Sequence, residues 1–343
     1  TGNIIAYYGD ENYNETPVYG QVMVYQPKFY YRVVPLTLEQ NGKGYHLRKV
    51  RYYLSDTPRP GFKIHPAFVS NGAEKEYILL SAYEGSIYDT SASTFLIADE
   101  QTANFEEDKL CSIATLNHDG FPCTGTTQSL TRTNARKLAQ NRGAGWNIST
   151  IQSISATQLL FAVEYGGFNT QELLGKGSIS STQPIGQTSS FGNTSGVVQG
   201  YNMPITYRGE ENFWGNKFKF VDGINIKRTG DIVEIYIADN NFEESKTTEQ
   251  YKNVNIAVST TNGFISAFAY SEEYDWLFLA SETSGTSALP VGDEWIMDTG
   301  DTFKTMIHGG YPGAPNGTGG FNFRIKYPAY KAAEGSCRLV FIP

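Results

Sequence analysis

Hydrophobic and polar positions alternate along much of this chain, and the clearest alternation lies near its C-terminal end. In the run Gly320-Phe321-Asn322-Phe323-Arg324-Ile325-Lys326-Tyr327, Phe321, Phe323 and Ile325 alternate with Asn322, Arg324 and Lys326. A period of two predicts a strand with one buried face. Its outer face would carry an amide, a guanidinium and an ammonium, three long side chains suited to making contacts. The Gly/Pro-rich stretch 308–320 precedes it, and an apolar strand, Cys337 to Ile342, follows. A strand tied into a sheet behind a loop rich in polar and aromatic residues suggests a rigid frame displaying a recognition patch. An edge hairpin with a solvated face would give the same pattern.

The same reading applied from the other end predicts strands at Gln21–Tyr25, Phe29–Val34 and Tyr45–Leu54, with Asn41-Gly42 as a hairpin signal. The break Asp56-Thr57-Pro58-Arg59-Pro60-Gly61 suggests a boundary. It divides a small β module or attachment region, 1–60, from the remainder, 61–343, with a terminal recognition segment at 295–336. Two helices stand out. One is capped by Thr131 or Thr133, runs through Ala135 to Arg142 and is stopped by Gly143. The other starts after Thr150, carries Ile154, Leu159, Leu160, Ala162 and Val163, and ends at Gly166-Gly167. Apolar faces at helical spacing must pack on a sheet, which makes this part α+β. Residues 175–205 read as loops packed over the fold, because Val197, Val198 and Tyr201 interrupt the Gly/Ser/Thr run. Further strands are predicted at Phe218–Ile226 and Asp231–Ala238, paired as a hairpin, and Ile265–Tyr270 and Asp275–Leu279 supply further apolar runs.

Of 343 residues, 40% are apolar, 14% aromatic and 18% charged, with 35 Gly and 14 Pro, a loop-rich and largely β profile. A net charge of −8 argues against a nucleic-acid or anionic-membrane partner and leaves neutral glycans or proteins. No stretch approaches the 18 or so apolar residues of a spanning helix, so no membrane insertion is expected. The first residues, Thr-Gly-Asn-Ile-Ile, lack a Met or a leader pattern and suggest a processed chain or part of a longer one. Three cysteines, Cys111, Cys123 and Cys337, cannot all pair within one chain. Cys111 and Cys123 could bridge a short loop, but free buried thiols are favoured.

The chemistry-bearing residues point away from catalysis. His46, His65, His118 and His308 show no metal-ligand spacing. There is no nucleophile elbow, and no Cys lies beside a His. Glu210-Glu211 and Glu272-Glu273 could serve glycoside hydrolysis, but solvated surface charge explains them better. No Asp-rich Ca²⁺ loop is present, so no cofactor is expected and a structural Ca²⁺ has no motif behind it. Trp295, Phe303, His308, Tyr311, Asn316, Asn322, Arg324, Lys326, Tyr327 and Tyr330 are the residue types that build recognition surfaces. Phe321 and Phe323 belong to the core instead.

Six segments resemble one family. They are His65-Pro66-Ala67-Phe68, Tyr83-Glu84-Gly85-Ser86-Ile87-Tyr88-Asp89, Asn141-Arg142-Gly143-Ala144-Gly145-Trp146, Gln158 to Gly166, Tyr207-Arg208-Gly209-Glu210-Glu211-Asn212-Phe213-Trp214-Gly215 and Arg338 to Pro343. In that order they are similar to structural proteins of phages and prophages with a C-type-lectin-like (sulfatase-modifying-factor-like) domain, over residues 45 to 343. The resemblance implies an α+β lectin-like domain with two main helices and short strands behind the β module. It also implies a variable host-binding face at Tyr311, Pro312, Asn316, Asn322, Arg324, Lys326, Tyr327 and Tyr330, in some relatives diversified by a retroelement. Asp301-Thr302-Phe303-Lys304 and Ser336-Cys337 depart from the family pattern. The pair of copper-binding cysteines of the related formylglycine-generating enzymes is not found, with Cys337 standing alone. The expected function is therefore a virion receptor-binding or adhesion protein in a tail or head fibre, no enzyme but a homotrimer recognising a host-surface glycan or protein. Its N-terminal module would contact other virion proteins. A capsid decoration protein with weak glycan binding is the alternative, and an enzyme on the same fold a third reading.

Overall fold

Three strands of 12 residues, Tyr30–Asn41, Gly44–Ser55 and Phe218–Thr229, set the architecture. The computed structural model describes residues 2–17, 20–42, 44–95, 102–114, 120–126, 128–198, 202–244 and 250–343, so His118 and Tyr201 lie outside the described residues. Among the described residues strand makes up 33% and helix 10%, in three helices. The expected α+β lectin-like class with two main helices is thus corrected to a β-rich fold. The physical reason lies in the punctuation. Asn202, Asn212, Asn216, Asn241 and Asn255 all take positive φ, and such turns end each segment before a helix can repay its costly nucleus.

Three sheets carry the fold. The first has the order Ala280–Glu282, Ala267–Tyr270, Gly44–Ser55, Tyr30–Asn41, Lys63–Ile64. The second runs Met23–Pro27, Tyr77–Ser81, Leu339–Phe341, Trp146–Ile148. The third, central sheet runs Lys252–Asn253, Ile232–Ile237, Phe218–Thr229, Phe303–His308, Phe323–Lys326, Glu294–Met297, Gly263–Phe264, with Gly335–Ser336 added in parallel on Phe218–Thr229. Strands from residues 1–60 share sheets with later ones: Leu47 pairs with Phe268, and Met23 with Ser81.

Helix α1, Arg132–Gln140, is capped by the Thr131 hydroxyl, which accepts from the Asn134 amide at 3.2 Å. Helix α2, Ile151–Tyr165, begins with a reciprocal cap between Thr150 and Ser153 and ends at Gly166 with φ 65°. Its 12 residues from Ile151 to Ala162 are all buried, so it is enclosed on every side rather than amphipathic. Its polar residues make this possible by finding partners inside: Gln152 donates to the Ala238 carbonyl at 2.7 Å, Gln158 to the Gly320 carbonyl at 2.8 Å, and the Thr157 hydroxyl to Glu210 at 2.7 Å. Helix α3, Thr170–Leu173, is a single turn capped by Asn169. No described helix is long and apolar enough to cross a membrane.

The central sheet separates two cores. Phe323, Ile325 and Met306 face the larger one with α2 and an aromatic knot in which Phe168, Phe268 and Phe278 lie 5.2–5.7 Å from Phe321. Phe218, Phe220 and Ile307 face the smaller one with α1, Leu339 and Phe341.

Candidate functional site: the C-terminal face

Strand Phe323–Lys326 lies between an antiparallel neighbour, Phe303–His308, and a parallel one, Glu294–Met297. Its burial alternates as expected, with Phe323 and Ile325 inside and Arg324 and Lys326 half-buried on the outer face. Each cation meets an acid across the parallel pair: Arg324 lies 3.4 Å from Glu294, and Lys326 lies 3.1 Å from Asp298. Each also lies over aromatic rings. The Arg324 guanidinium is 5.1 Å from the centre of the Phe218 ring and 5.8 Å from that of Tyr311, and the Lys326 ammonium is 5.5 Å from that of Tyr330. Tyr327 packs edge-on against Tyr330 at 5.5 Å and is 49% exposed.

The structure therefore brings Tyr311, Arg324, Lys326, Tyr327 and Tyr330 onto one face. Tyr330 contributes mainly a wall: it is buried, its hydroxyl donates to Glu334 at 2.6 Å, and burial holds its phenol well above the ordinary range. Because each cation is countered by an acid, the face offers ring surfaces and directed donors and acceptors with little net charge. Such a surface suits neutral hydroxyl-bearing ligands better than polyanions.

Asn316 is exposed on the loop beside this face. Asn322 is not part of the surface: it is buried, and its amide donates to the Glu294 carbonyl at 2.9 Å and the Gly317 carbonyl at 2.7 Å. It precedes the first strand residue, so the alternation that would point it outward has not begun. Trp295 and His308 are buried too. The His308 ring bonds to the Gly320 carbonyl at 2.9 Å, and burial pushes its pKa down to about 3. The loop is anchored from below. Asp293 accepts from the Phe321 amide at 2.7 Å, Thr170 accepts from the Gly320 amide at 2.9 Å, and Gln171 reaches the Asn316 carbonyl at 3.3 Å. Gly319 is required there, since a Cβ would stand 2.0 Å from an Asp293 oxygen.

The adjacent carboxylates resolve differently from one another. Glu272 and Glu273 are exposed, but Glu210 and Glu211 are buried, correcting their reading as solvated charge. Glu211 accepts from the Gly186 and Thr188 amides and the Thr188 hydroxyl, each at 2.8 Å, and burial pushes its pKa up to about 7. Glu210 lies 3.9 Å from Arg338, and burial raises it as well. Loops distant in sequence supply these partners, so the pair of residues alone gave no sign of them. Nearby, Glu84 and Lys219 form a fully buried ion pair at 3.2 Å. The cavity among Glu210, Lys219, His308 and Arg338 measures about 10 Å³, room for one water and no substrate.

Two other features bear on function. A concavity of about 860 Å³ borders this network at Thr188 and Gly209 and runs along strand Met23–Pro27, with Tyr8, Tyr25, Trp146, Glu164 and Arg208 among its walls. Cys337, expected to stand alone, lies with its sulfur 3.8 Å from that of Cys123, whereas Cys111 accepts from Arg142 at 3.2 Å. Among the described residues no group of three or more His, Cys, Asp or Glu could hold a metal ion. No family model matches the chain, and no curated protein is similar to it.

Proposed function

We propose that this chain is a recognition protein on the exterior of a phage virion, binding a host-surface glycan or protein non-covalently through its C-terminal face. The observation that carries this reading is the gathering of Tyr311, Arg324, Lys326 and Tyr327 on the outer face of a sheet whose inner face is fully packed. Rigid aromatics on a fixed frame lose little conformational freedom on binding, and several copies per particle would raise a weak single-site affinity. The net charge of −8 supports a neutral rather than polyanionic ligand. Contacts with other virion proteins fall to the N-terminal stretch, where Ile5, Tyr7 and Tyr8 are exposed. That exposure also favours the second reading, a capsid decoration protein.

The test is binding of the purified chain to bacterial cells and to a glycan array, comparing wild type with the Tyr311→Ala/Arg324→Ala/Tyr327→Ala variant. Hot-spot residues of this kind are worth about 2 kcal/mol or more each, so binding should fall at least about tenfold while the circular dichroism spectrum is unchanged. Undiminished binding by a folded variant would remove the face from the account.

A further inference from the structure

Cys123 and Cys337 are 214 positions apart in sequence, yet their sulfurs are in contact at 3.8 Å and both side chains are buried. Backbone hydrogen bonds hold the two segments on either side of the contact. The Cys123 amide donates to the Gly85 carbonyl and the Gly85 amide to the Cys337 carbonyl, both at 2.9 Å, and the Gly125 amide donates to the Ala332 carbonyl at 3.0 Å. Gly85 lets the three segments close, since a Cβ there would lie 2.8 Å from the Cys337 carbonyl oxygen and 3.3 Å from its sulfur. Apart from each other, the only hydrogen-bonding neighbour of the two sulfurs among the described residues is the Ser336 hydroxyl, 3.9 Å from Cys123.

We propose that Cys123 and Cys337 are a thiol modification site that closes to a disulfide on exchange with a small-molecule disulfide such as oxidised glutathione. One cysteine thiolate attacks a sulfur of the oxidant, forming a mixed disulfide and expelling one glutathione thiolate. The other cysteine then attacks the protein sulfur of that mixed disulfide, forming the Cys123–Cys337 bond and expelling the second. Two protein thiols are oxidised, one glutathione disulfide is reduced, and the two protons end on the two glutathione thiols. Burial keeps the Cys337 thiol protonated well above its ordinary range, so exchange proceeds during folding or local opening rather than on the closed surface. The link would enclose both long helices and the central sheet, and a loop of that length constrains the unfolded chain strongly. Nothing in this inference depends on the recognition reading.

The full chain is refolded in mixed oxidised and reduced glutathione, alkylated, weighed intact and mapped without reduction. The expected product carries one alkyl group, at Cys111, where the reduced chain carries three, weighs two hydrogen atoms less than a singly alkylated dithiol chain would, yields a peptide joining Cys123 to Cys337, and unfolds at higher urea than the reduced form. Cys111→Ser should keep the link, which separates loss of pairing from loss of folding, and Cys337→Ser should abolish it. Three alkylated thiols, or a bridge to Cys111 as the main product, would overturn the proposal.

Discussion

Replacing Lys219 with Met probes the buried ion pair beneath the recognition loop. The ammonium lies 3.2 Å from Glu84 and donates to the Gly215 carbonyl at 2.7 Å, and both side chains are sealed from solvent. Lys219 pairs in register with His308, and its stem lies 3.8 Å from where a Cβ of Gly309 would be, so the pair supports the start of the loop. Met keeps the stem and removes the charge. Among the described residues Glu84 would then retain only the Asn212 and Asn216 amides as partners, an uncompensated buried carboxylate that costs about 3–5 kcal/mol. Against a total stability of about 5–15 kcal/mol that loss is large. The assay is equilibrium urea unfolding of Lys219→Met, Glu84→Gln and the double variant. Each single change should be strongly destabilising, and the double should cost less than their sum by about 1–3 kcal/mol, because the second substitution removes the charge the first left stranded. A single cost below about 1 kcal/mol, or additivity within about 0.5 kcal/mol, would mean that the two charges do not depend on each other in the fold.

Burial pushes the Asp293 carboxyl from the ordinary 3.8 up to about 7. Between these values the folded chain keeps a proton that the unfolded chain releases, so its contribution is complete below about pH 4 and is lost as pH rises to about 7; urea unfolding of Asp293→Asn across that window should show a shallower decline than wild type, and parallel declines would contradict the assignment. A Cβ at Gly125 would lie 2.3 Å from the Ala332 nitrogen and 2.7 Å from its oxygen. Because both are backbone atoms that cannot step aside, Gly125→Ala should lower stability by about 1–3 kcal/mol, and an unchanged urea midpoint would show that the 120–126 segment packs elsewhere.

Local signals were legible in the sequence and long-range ones were not. Thr131, Thr150 and Gly166 mark the ends of α1 and α2 as capping chemistry predicts, and the alternation of Phe323 and Ile325 with Arg324 and Lys326 survives in the sheet. The enclosure of α2 was hidden because Ser153, Thr157 and Gln158 look like a solvent face until Glu210 and Gly320 arrive from elsewhere. Asn322 misleads for a different reason: a period-two reading has no way to know that the strand begins one residue later. Glu211 and the Cys123–Cys337 contact depend on partners 23 and 214 positions away, beyond any local pattern.

Side-chain footprinting by hydroxyl radicals shows directly which face meets the ligand. The chain is oxidised alone and while bound to the host cells or arrayed glycan that retains it. Loss of labelling at Tyr311 and Tyr327, with Tyr7, Tyr8 and Tyr25 unchanged, is the predicted result. Protection of Tyr7, Tyr8 and Tyr25 with Tyr311 and Tyr327 still labelled would contradict the account and place binding in the N-terminal groove.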